Sequence, residues 1–84
     1  MTWEIWAAGG MMTEQDMTAL RNAQGVEASR LFLTQMIEHH KGAITMAQTE
    51  VDSGQFAPAM ELARSIIASQ QKEIDTMQQM LGSL

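Results

Sequence analysis

Residues 26–52 read VEASRLFLTQMIEHHKGAITMAQTEVD, and their apolar positions decide the fold. Leu31, Phe32, Leu33, Met36, Ile37, Ala43, Ile44, Met46, Ala47 and Val51 recur at spacings of three, four and seven. That is the period of an α-helix with one buried stripe. No proline interrupts the run, and Gly42 is its one weak spot. The pattern predicts a helix from Val26 to Asp52, ended by DSGQ with Gly54 as a left-handed C-terminal cap.

A second long helix begins near Phe56–Pro58, where proline suits the first turn. Its apolar side is Met60, Ala63, Ile66, Ile67, Ile74, Met77 and Leu81, and it ends at GSL. The short link between the two helices forces an antiparallel hairpin. Upstream, Thr13 is a good N-cap, with Glu14 and Asp16 in the first turn where the helix dipole favours negative charge. A short helix is predicted from Thr13 to Gln24, stopped by Gly25. Residues 1–12, MTWEIWAAGGMM, are a lead-in segment whose Trp3 and Trp6 need an apolar surface to dock on. Residues 13–84 form a single helical domain.

The chain has 84 residues and no cysteine, so no disulfide supplements a small core. Ala, Met, Gln, Glu and Leu are abundant, Tyr is absent, and the expected class is all-α. Each apolar stripe is wider than contact with one neighbour can cover. The simplest remedy is a second copy of the hairpin, giving a four-helix bundle completed by homodimerisation. A net charge of −5 argues against nucleic acid and against an anionic membrane surface. No apolar run is long enough to span a bilayer, and the N-terminus lacks the pattern of a signal peptide.

Both histidines stand together, His39 and His40, with Met36 before them and Met46 after. With Met36 set at zero on the helix, His39 falls about 60° to one side and His40 about 40° to the other. Ala43 and Ala47 share that face and leave room. Glu38, Lys41 and Thr45 point the other way. Two readings of the pair stay open. Neutral histidines can be buried and hydrogen-bonded, with Gln70 the expected partner among Ile66, Ile67 and Ile74. Alternatively the pair binds a metal ion. Met36 is within one turn of both rings, whereas Met46 is about 10.5 Å along the axis from His39, too far to share an ion easily. Further donors must come from another helix, and Gln70, Glu73 and Met77 lie at i, i+3 and i+7 of the last one. Nine methionines are present. Thioethers fill irregular cores and also prefer Cu(I) among ions.

Catalytic patterns are missing. The residue three before His39 is Met36, so the Glu-x-x-His of a di-iron site is absent. So are His-Glu-x-x-His, any thiol and any glycine-rich phosphate loop. An enzyme is not expected.

The segment FLTQMIEHHKGAITMA, Phe32 to Ala47, resembles the signature F-x-x-x-M-I-x-H-H-x-G-A-I-x-M-A of the family catalogued as domain of unknown function 305. LARSIIASQQKEIDTM resembles that family's second pattern, L-A-x-x-I-x-x-x-Q-x-x-E-I-x-x-M, through Leu62, Ala63, Ile66, Gln70, Glu73, Ile74 and Met77. The resemblance covers about residues 10–81 and corresponds to a single half of the tandem arrangement that many relatives carry. It implies a ferritin-like fold, export to the periplasm or outside the cell, and copper handling. It also implies a ligand set of His39, His40, Met36, Met46 and Met77. The family usually has Asp where Ser29 stands and Trp-Leu where Met80–Leu81 stand. The resulting expectation is a non-catalytic bundle that binds copper as Cu(I), for storage, buffering or delivery. The alternative is a structural or partner-binding bundle with a Met-rich face and no metal.

Overall fold

The computed structural model describes residues 13–84, and the lead-in segment with Trp3 and Trp6 lies outside the described residues. The described residues form three helices and no strand: α1 (Glu14–Asn22), α2 (Gly25–Ser53) and α3 (Ala57–Gly82). Each begins and ends within two residues of the ranges expected from periodicity.

Helix α1 starts on a reciprocal cap. The Thr13 hydroxyl accepts from the Asp16 amide at 3.0 Å, and the Asp16 carboxylate accepts from the Thr13 amide at 3.2 Å. Two amides with no partner inside the helix are thereby satisfied, an arrangement whose hydroxyl half is worth about 1 kcal/mol.

Two glycine assignments need correcting. Gly25 is not the cap directly after α1. That helix closes at Ala23, whose amide reaches back to the Leu20 carbonyl, and Gly25 opens α2 with φ of 63°. Its missing side chain lets the chain reverse between the two helices. Gly54, unlike Gly25, is not left-handed. Its φ is −74°, and its amide donates to the Glu50 carbonyl at 2.8 Å. Glycine is needed there for space, because a Cβ would sit 2.5 Å from that same carbonyl oxygen.

Residues 54–56 turn the chain, and α3 runs back along α2. The buried side chains of α2 are Leu33, Ile37, His40 and Ala47, a single stripe at helical spacing. They meet Ala63 and Ile74 of α3, with Ile74 the most enclosed at 3 % exposure. Two helices cannot cover more than this. Phe32 and Met80 stay about half exposed, and Phe56 and Leu62 more so, which leaves apolar surface that the hairpin does not cover. None of the described helices is long and apolar enough to cross a membrane.

Candidate metal centre

Position 40 is where the two long helices exchange a polar contact across the core. His40 is 6 % exposed and is the only buried polar side chain among the described residues. Its Nε2–H donates to Glu73 Oε1 at 2.6 Å. The direction follows from the acceptor, since an ionised carboxylate has no proton to give. The carboxylate itself sits at the rim, with its side chain 57 % exposed. Thus a surface acid on α3 leans over a ring buried on α2.

This contact corrects the expected partner. Gln70 does not bond the buried histidine; its Oε1 is buried without a partner among the described residues. Which of Gln70 and Glu73 reaches His40 depends on how far the helices slide past each other. The turn at 54–56 sets that register.

The remaining polar atoms of the region are unsatisfied in a consistent way. Nδ1 of His40, Nδ1 of His39 and Oε1 of Gln35 are buried without a hydrogen-bond partner among the described residues. Leaving such atoms unpaired costs about 1–3 kcal/mol each, so a native fold that keeps several together calls for an explanation such as an ion. The two imidazole rings lie edge to face, with centroids 5.8 Å apart and planes 64° to each other. His39 is half-buried, on the flank of the stripe.

The His40–Glu73 contact also fixes which residues are level. In an antiparallel pair, each step back along α2 matches a step forward along α3. Met36, four before His40, is therefore level with Met77, four beyond Glu73, and both are half-buried. Met36, His40, Glu73 and Met77 thus share one turn of each helix. Met46 does not join them; it lies about 9 Å along the axis from His40, though it too is half-buried. Ser29 is farther still, about 16 Å along the axis in the other direction. It lines an apolar groove of about 560 Å³ with Leu20, Phe32 and Met80. An Asp at that position, as the family pattern has it, would accordingly stand outside the reach of an ion at His40 in the same chain.

Among the described residues no three His, Asp or Glu side chains gather as a hard-ligand cluster. What the centre offers is imidazole nitrogen with thioether sulfur nearby. Gln35 was not foreseen as a structural residue. Its Nε2 donates to the Asp16 carbonyl at 2.9 Å and ties α1 to α2 one turn before His39.

With this geometry in place, the sequence comparison is decisive for family. The profile of the family described as domain of unknown function (DUF305) matches residues 4–81. The chain belongs to that family. No curated protein and no solved structure matches it. The two DUF305 patterns noted in the sequence, Phe32–Ala47 and Leu62–Met77, lie on α2 and α3 respectively. Their polar members meet at His40 and Glu73. In this chain the apolar residues of the two patterns keep the helices together while His40 and Glu73 face each other across the seam.

Proposed function

We propose that the protein is a non-catalytic copper-binding helical bundle that holds Cu(I) for storage, buffering or delivery. The observation that carries this reading is the buried His40 ring, whose Nδ1 has no hydrogen-bond partner among the described residues and which shares a helical turn with Met36. A packing histidine satisfies both nitrogens. One that satisfies only Nε2 presents the other as a donor. His39 supplies a second imidazole, and Met77 a second thioether from the facing helix.

The donor set favours a soft ion. Thioethers select Cu(I), imidazole tolerates it, and harder ions prefer the carboxylate clusters that the described residues do not assemble. Met46 serves as a ligand only for a separate ion. The surplus apolar surface supports a homodimer in which two hairpins make one four-helix bundle, with Phe32 and Leu62 covered by the second copy. Export to the periplasm or beyond is inferred from the family resemblance, and fits a site built without thiols.

The alternative is a structural bundle that grips another helix through a Met-rich face, supported by the exposed Phe32 and Met80 beside the apolar groove. Titrating Cu(I) against the full chain with a competing chelator separates the two. The copper reading expects binding tighter than micromolar that is lost in the His39→Ala/His40→Ala double variant. Weaker binding, unchanged in that variant, overturns it.

A further inference from the structure

We propose that Glu73 is a positioning residue that fixes His40 as the Nε2–H tautomer, making Nδ1 the ligating atom, while the adjacent His39 has no side chain to hold its tautomer. The inference rests on the copper reading for its purpose, but the tautomer is a property of the metal-free chain.

The chemistry is one of donors and acceptors. A neutral imidazole carries one proton, on Nδ1 or on Nε2. Glu73 Oε1 stands 2.6 Å from His40 Nε2. An ionised carboxylate only accepts, so the proton must be on Nε2 for the contact to be attractive. The lone pair is then on Nδ1, in the buried interior, where no donor among the described residues competes for it. The opposite tautomer would set a lone pair against the carboxylate and bury an N–H without an acceptor. Both changes are unfavourable, and both act in the same direction.

His39 lacks such a partner. Its Nδ1 is also buried and unpaired, and no side chain among the described residues bonds its ring. The pair is therefore asymmetric: one ring is held by a carboxylate from α3, and its neighbour on α2 is not. A carboxylate that orients a ligand imidazole also raises the basicity of the ligating nitrogen, and losing such a partner typically costs 10–100-fold in metal affinity.

Long-range proton–nitrogen correlation spectra of the ¹⁵N-labelled, metal-free full chain read the tautomers directly. The expected result is that His40 shows a protonated Nε2 and a bare Nδ1, more completely than His39. Glu73→Gln keeps the shape but offers the ring both an acceptor and a donor, so the Nε2–H preference of His40 should weaken toward that of His39. Glu73→Ala should do the same and weaken Cu(I) binding by about 10–100-fold. Adding Cu(I) to the wild type should shift His40 Nδ1 and leave its Nε2 protonated. A wild type that binds Cu(I) but shows an averaged or Nδ1-protonated His40 overturns the role of Glu73 alone. So does Glu73→Ala binding Cu(I) as tightly as the wild type. A wild type with the fixed tautomer that binds no Cu(I) overturns the copper reading, and with it the claim that Nδ1 is a ligand.

Discussion

The Gln35 side chain on α2 donates to the main-chain carbonyl of Asp16 on α1 at 2.9 Å. It is the one hydrogen bond among the described residues that joins a side chain of α2 to α1. Gln35→Leu keeps much of the volume and removes the donor. The expected loss is about 1 kcal/mol, with limited proteolysis cutting within residues 14–24 faster than in the wild type. An unchanged cleavage rate there would show that apolar contacts alone hold α1.

Copper should stabilise the folded chain. At a hundredfold excess over Kd the gain is about 2.7 kcal/mol, read as a rise in Tm near pH 7.5. Protons compete with the ion for imidazole, so the gain should shrink as the pH falls to about 5.5. Met36→Leu preserves volume and removes the thioether, so it should reduce the copper-induced rise while leaving the metal-free Tm nearly unchanged. His40→Ala should reduce both, because it also leaves Glu73 without its donor. Variants that lose metal-free stability yet keep the full copper rise would make the histidine pair purely structural.

Three glycines should respond differently to alanine. Gly25 has φ of 63° with open space around it, so Gly25→Ala should cost about 1–2 kcal/mol through backbone strain alone. Gly54→Ala should cost at least as much, since its Cβ would overlap the Glu50 carbonyl oxygen, which cannot rotate away. Gly82 has nothing near and stands at the end of α3, so Gly82→Ala should be close to neutral. Urea unfolding of the three variants gives the order; a neutral Gly54→Ala would refute the proposed crowding.

Sedimentation at micromolar concentration should show a dimer. Phe32→Glu, at a residue 48 % exposed in the single chain, should shift it toward monomer. A stable wild-type monomer would rule out the two-hairpin bundle and leave the exposed apolar residues for another partner.

The helices were legible because their signals are local. The period of three and four marks α2 and α3, and Thr13 with Asp16 marks the start of α1. The same period placed His40 inward and Lys41 outward, as found. The partner of His40 was not legible, because the choice between Gln70 and Glu73 turns on the slide of one helix past the other. Gln70 has the more apolar neighbours along its own helix, yet Glu73 has the matching level. Gln35 was missed for a related reason: its acceptor is a main-chain carbonyl, and no residue type announces one. The identity of Gly54 suggests a left-handed cap, whereas the structure uses it for its lack of a side chain.

The hairpin's turn end is lightly secured. Phe56 does not cap α3 with its side chain, the last turn of α2 has no basic residue, and the first turn of α3 has no acidic one; at the far end of the hairpin, Gln24 does not cap α2 with its side chain either. The helix ends are therefore the places where amides exchange with solvent first, while the amides around His40 and Ile74 open last. The His40–Glu73 contact stands about halfway along α2, some four turns from its start and a little fewer from its end. Fraying can consume a turn at each end and leave that middle untouched. A ligand held there would dissociate at a rate set by opening of the whole hairpin or by motion of the Glu73 side chain, not by the loosening of the ends.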